Sequence, residues 1–78
     1  MKPAELRPLV GRTVEVYWHG YRTGTVKGVP SSDVLSVQLL GPHGRRKIPI
    51  DQVRSVYWYG KANTVTDYLK KVSDEEQS

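Results

Sequence analysis

The chain has 78 residues, a formal net charge of +4 at neutral pH and no cysteine. That length holds one domain with a small core, and the missing cysteines exclude disulfide staples and thiolate metal sites. No apolar run approaches the roughly 20 residues of a membrane span and the opening MKPAELRP lacks a signal-type apolar stretch, so a soluble cytoplasmic protein is expected.

The charge is unevenly spread. Residues 1–72 carry all 12 Lys and Arg against five acids, a net of +7, and Asp74, Glu75 and Glu76 follow in the last six residues. The isoelectric point is about 9.6. A body that basic suits a polyanion such as nucleic acid; the other reading is a solubilising surface. Phenylalanine is absent, so Trp18, Trp58 and five tyrosines carry the aromatic packing.

Residues 1–12 read as a lead-in segment. Pro3 suits the first position of a short helical turn and Pro8 forbids a long one. Leu6, Leu9 and Val10 are expected to cover one end of the core, and Gly11 turns the chain into the first strand. Thr13 to Trp18 alternates: Val14, Val16 and Trp18 point one way, Thr13, Glu15 and Tyr17 the other, which is the period of a half-buried strand. The chain reverses at His19-Gly20. A two-residue loop would set Val14 beside Thr25 and turn Val26 to solvent. A three-residue loop, His19-Gly20-Tyr21, sets Val14 beside Val26 on the core face and is preferred because it buries both valines. Gly24, then opposite Val16, lets a neighbouring strand or Trp18 come close.

Gly28 to Asp33, GVPSSD, reads as a loop by composition. Val34 to Leu40 is the third strand, with Leu35, Val37 and Leu39 inward. Gly41-Pro42-His43-Gly44 is a turn before a fourth strand, Arg45 to Ile48, in which Arg46 shares a face with Ile48 and Arg45 with Lys47. Pro49 marks an edge or an end. Ile50 to Arg54 reads as a single helical turn, and Ser55 to Tyr59 as the fifth strand with Val56 and Trp58 inward. Thr64-Val65-Thr66-Asp67 fits a capping box, an Asp replacing the usual Glu. Val65, Tyr68, Leu69 and Val72 then form one helix face, with Lys70 and Lys71 at the C-terminal end of the dipole. The expected helix spans 64–72, and residues 73–78 are expected to be a disordered acidic tail.

The tripeptide Val16-Tyr17-Trp18 returns as Val56-Tyr57-Trp58 and is read as a sign that the two strands are neighbours. The segment from Gly11 to Gly20, G-x-x-V-x-V-x-W-x-G, followed by Arg22-Thr23-Gly24-Thr25-Val26, resembles the opening hairpin of the SH3-like barrels, which include the Tudor and KOW families. The resemblance covers residues 11–59. It implies a mainly β fold, a five-stranded SH3-like barrel over 13–59 with a short C-terminal α-helix. It also implies that the first and last strands pair, bringing the two VYW strands side by side, Trp18 and Trp58 inside and Tyr17 and Tyr57 outside.

Arg45-Arg46-Lys47 is the densest basic run, and Arg22, Lys27 and Arg54 add to it if the fold brings them near; such groups contact phosphates without reading bases. Against this stands a charged edge strand that resists aggregation. Tyr17, Tyr21, Tyr57 and Tyr59 are outward or in turns and can stack on unpaired bases, or instead seat the C-terminal helix. Tudor domains use such aromatics as a cage for methylated side chains, but here Glu15 alone supplies an acid beside them. His19 and His43 occupy turns and, without cysteines, make a poor metal site. No nucleophile–base set or carboxylate pair is suggested by spacing. The reading is therefore no enzyme, no cofactor and no metal. The first expectation is a nucleic-acid-binding module, for DNA or RNA, using Arg22, Arg45, Arg46, Lys47, Arg54, Tyr17, Tyr21 and Tyr57. The alternative is a protein-interaction module, an SH3- or Tudor-like adaptor or a phage-type factor that binds a host protein. No membrane contact is expected, and the oligomeric state is not set.

Overall fold

The computed structural model describes residues 3–77. Met1 and Lys2 of the lead-in and Ser78 of the tail lie outside the described residues. A short helix α1 (Pro3–Leu6) and a 3₁₀ turn (Arg7–Leu9) lead into six strands and a closing helix. The strands are β1 (Thr13–Tyr17), β2 (Tyr21–Ser31), β3 (Val34–Leu39), β4 (Arg45–Pro49), β5 (Val53–Trp58) and β6 (Lys61–Asn63); the helix is α2 (Val65–Gln77).

The strands form one antiparallel sheet in the order β4-β3-β2-β1-β5-β6. Six strands stand where five were expected, and the sheet is not closed into a barrel. The reason is local. Trp58 pairs with Lys61 across Tyr59-Gly60, whose φ values are +51° and +74°. That two-residue reversal adds β6 to the free edge of β5 and occupies the hydrogen-bonding groups that closure would use.

β1 lies between β2 and β5, as the repeated VYW tripeptide suggested, but the pairing is antiparallel. Val14 faces Val56 and Val16 faces Val53, with Arg54 the extra residue of a bulge. The two tripeptides therefore run away from each other. Trp18 and Trp58 sit at opposite ends of the sheet and do not share an interior.

The first hairpin departs from its expected register by two residues. Tyr17 pairs with Tyr21 and Val14 with Gly24, so the loop is Trp18-His19-Gly20. The Trp18 amide donates to the Gly20 carbonyl at 2.8 Å, and the two tyrosine rings meet edge-on at 5.5 Å, a stabilising cross-strand pair. A shift of two residues keeps every side chain on its face, so Val14 and Val26 are both still fully buried.

The expected loop GVPSSD is mostly strand. β2 runs to Ser31 by bulging between Val26 and Gly28 and again before Ser31, which accommodates Gly28 and Pro30 without breaking the ladder. The turn itself is only Ser32-Asp33, with the Ser31 hydroxyl donating to Asp33 Oδ1 at 2.9 Å.

One core joins the inner faces of the strands. Val14, Val16, Val26, Leu35, Val37, Leu39, Ile48 and Val56 are buried together with Leu6 and Leu9 of the lead-in. Val10, expected to join them, is 46% exposed. The lead-in is held by Gly11 N–H to the Val26 carbonyl at 2.8 Å and by the Tyr68 hydroxyl, which donates to the Pro8 carbonyl at 2.6 Å. α2 docks against β5, β6 and the lead-in turn through Tyr68, with Val65, Leu69 and Val72 beside it. Its start is capped by Thr64, whose Oγ1 accepts from the Asp67 amide at 3.1 Å. The helix continues through 73–77, where a tail was expected. Lys, Glu and Gln are good helix formers, and Lys70/Asp74 and Lys71/Glu75 stand at the i,i+4 spacing that supports a helix. Lys71 is thus mid-helix and donates to Asn63 Oδ1 at 2.6 Å, tying α2 to β6. Among the described residues no helix is long and apolar enough to cross a membrane.

Gly24 sits where β2 is pressed between β1 and β3. A Cβ there would lie 2.6 Å from Val37 Cγ1 and 2.7 Å from the Gln38 carbonyl oxygen. Because one of these atoms is backbone, Gly24→Ala is expected to cost about 1–3 kcal/mol, read as a lowered urea midpoint. An unchanged midpoint would mean that β2 and β3 are not packed this closely.

Candidate nucleic-acid interface

α2 and the lead-in pack toward the buried side of the sheet, so the outer face of β1, β2 and β5 is left open. Alternation puts Glu15 and Tyr17 of β1, Tyr21 and Thr23 of β2 and Tyr57 of β5 on it. Tyr17 is 53% and Tyr21 61% exposed. The β5 bulge turns Arg54 to the same side. Its guanidinium stacks over the Tyr21 ring at 4.6 Å, within cation–π range, and its Nη1 lies 3.5 Å from Glu15 Oε1. The Tyr57 hydroxyl donates to Glu15 Oε2 at 3.3 Å. The one carboxylate of this patch is thus engaged by a cation and a hydroxyl.

The eight residues expected to act together fall into three groups. Tyr17, Tyr21, Tyr57 and Arg54 form the outer patch. Arg45 and Lys47 are exposed on the same face, but on the edge strand β4, with β3 and β2 between them and β1. At about 4.8 Å per strand that is roughly 10 Å from β2, which carries Tyr21, and roughly 15 Å from β1, which carries Tyr17. Arg22 and Arg46 point the other way. Arg22 pairs with inward Val16 and Arg46 with inward Val37, so both belong to the inner side at the hairpin end.

There they meet Trp18. Arg46 lies 5.3 Å and Arg22 5.9 Å from the Trp18 ring centre. His19 and His43 abut the same ring edge-on at 4.6 Å and 5.4 Å. Arg22 also buttresses the turn: its Nε donates to the Trp18 carbonyl at 3.0 Å and Nη2 to the His19 carbonyl at 3.2 Å. His19 takes φ +53°, in the left-handed region that the reversal demands. His43, expected only to occupy a turn, is half-buried against Trp18. One signal for this grouping was present, since Arg46 shares the parity of buried Ile48. Nothing local could join the GPHG turn to Trp18, 25 residues earlier in the chain.

The tyrosine pair and the Trp18 cluster flank the same hairpin end, one on each side of the sheet. Together they offer ring faces for stacking and guanidinium and imidazole donors for phosphate. Among the described residues no three of His, Cys, Asp and Glu gather as a metal-ligating group. Compared with known proteins, the chain matches no family model, no curated protein and no solved structure.

Proposed function

We propose that this chain is a non-catalytic module that binds single-stranded nucleic acid, DNA or RNA, across its open sheet face. The observation that carries this is the exposed Tyr17–Tyr21 pair with Arg54 stacked on it, on a face that also bears Arg45 and Lys47. Unpaired bases stack on the tyrosines, a duplex having no free base faces to offer. The backbone is met by Arg45 and Lys47 at one edge, and by Arg46 and Arg22 where the strand turns over the hairpin end. The β1–β5 pairing supports reading the fold as a variant of the SH3-like barrel opened by β6. Leu40, 66% exposed and hydrogen-bonded through its amide to Thr23, adds to the exposed Tyr17 and Tyr21, and this group of large side chains favours a second reading, a protein-interaction face.

Fluorescence anisotropy with labelled single-stranded DNA, single-stranded RNA and a duplex, at about 50 and about 200 mM salt, separates the two readings. The single strands are expected to bind more tightly than the duplex and to lose affinity steeply with salt. No binding of any strand at the lower salt would remove the nucleic-acid reading and leave the protein-interaction one standing.

A further inference from the structure

The antiparallel run of β1 and β5 carries Trp58 past the start of β1, to the end of the sheet away from Trp18. There the lead-in turn, the β5–β6 reversal and α2 enclose an open cleft of about 720 Å³, a volume in the range of small-molecule sites. Arg7, Arg12, Trp58, Tyr59, Tyr68 and Glu75 line it.

Its aromatic wall is held in place. Buried Tyr68 meets Trp58 edge-on at 5.6 Å, and Tyr59 lies against Trp58 at 4.9 Å with the rings tilted by 49°. Tyr59 is also an anomaly of the turn. It stands at φ +51° in a two-residue reversal where Asn, Asp or Gly is the usual residue, and its ring is 79% exposed. A disfavoured backbone that displays a large ring beside a cleft points to a ligand surface. The polar side is mostly cationic. Arg7 and Arg12 are exposed, against the carboxylate of Glu75 among the described lining residues.

We propose that this cleft is a second site, one that binds a nucleoside monophosphate with the base against Trp58 and Tyr59 and the phosphate on Arg7 and Arg12. A flat ring joined to a dianion is the chemistry that an aromatic wall and two guanidiniums select. The nucleotide is either free or the phosphorylated end of a strand.

The chain carries one tryptophan at each end of the sheet, so the two indole N–H resonances report the two sites separately by NMR. AMP is expected to shift the Trp58 indole saturably, with a Kd below about 1 mM, and to leave Trp18 in place. Adenosine and inorganic phosphate are each expected to bind at least about tenfold more weakly. Arg7→Ala/Arg12→Ala should reduce AMP to the adenosine level, and Tyr59→Ala should weaken AMP and adenosine alike; all three side chains are exposed, so both variants are expected to fold. Tighter binding of a 5′-phosphorylated oligonucleotide than of AMP identifies a strand end as the source, and the reverse order identifies the free nucleotide. The proposal is overturned by no Trp58 shift with AMP, GMP, CMP or UMP up to about 10 mM, by equal affinities for AMP and adenosine, or by Trp18 responding in step with Trp58. An oligonucleotide that shifts Trp18 while mononucleotides shift neither indole would remove this site and keep the sheet-face reading.

Discussion

Tyr68→Ala is expected to leave most of the chain unfolded or on the edge of unfolding at room temperature. Tyr68 is 1% exposed and is among the largest fully buried side chains of the protein. It joins three elements at once: α2, on which it sits; β5, through the ring of Trp58 at 5.6 Å; and the lead-in, through the Pro8 carbonyl at 2.6 Å. Truncating a buried aromatic to alanine costs about 3–5 kcal/mol. A chain of this length has a total stability of only about 4–12 kcal/mol, and a small domain falls in the lower part of that range. Urea unfolding followed by circular dichroism measures the loss. Tyr68→Phe separates the two contributions: it keeps the packing, removes the hydrogen bond and should cost about 1 kcal/mol. A loss of less than about 1 kcal/mol for the alanine variant would show that α2 is not held through this residue.

The double variant Tyr17→Ala/Tyr21→Ala is expected to keep its fold and lose about 10- to 100-fold or more in affinity for single strands. Each ring is more than half exposed, so its removal leaves no cavity and stability should change little. Base–aromatic stacking contributes about 1–3 kcal/mol per base, which sets the size of the loss. The salt dependence of binding should be unchanged, because no charge has been removed. Arg45→Ala/Lys47→Ala should do the opposite. Its affinity falls at low salt, and the slope of log K against log salt shrinks by about 1.4, at about 0.7 per phosphate contact on a single strand. If both variants changed affinity and slope in the same proportion, the division into stacking and phosphate-contacting residues would be wrong.

Much of the candidate interface was legible in the order of the residues. Tyr17 and Tyr57 were expected to face outward, and they do; Tyr21 was expected in the hairpin loop, and the two-residue register shift puts it on the outer face of β2 opposite Tyr17. Arg45 and Lys47 share a face, as alternation required. Their separation from Tyr21 by one strand and from Tyr17 by two was not legible, because strand order depends on which edges pair. Arg54 was expected to join a basic patch; it lies over Tyr21 because a bulge opposite Glu15 turns it outward, and a bulge has no fixed local signature.

Alternation and turn chemistry are relations between near neighbours, and what depends on them was determined by the sequence alone. Val14, Val16, Leu35, Val37, Ile48 and Val56 had to share the buried side. The chain had to reverse near His19-Gly20 and GPHG, and a helix had to begin at Thr64. Other features needed the whole fold. The first hairpin shifted by two residues because such a slip preserves every face, so burial cannot choose between the two registers. Gly28-Val29-Pro30 became strand because β3 offered it a partner. The sheet stayed open because β6 occupies the free edge of β5. The two VYW segments, alike in sequence, were sent to opposite ends by antiparallel pairing. One tryptophan thereby gathered the distant Arg46 and His43 beside its chain neighbours His19 and Arg22, and the other came to wall a cleft with Arg7, Arg12 and Tyr68; those distant partners are ones no local pattern records.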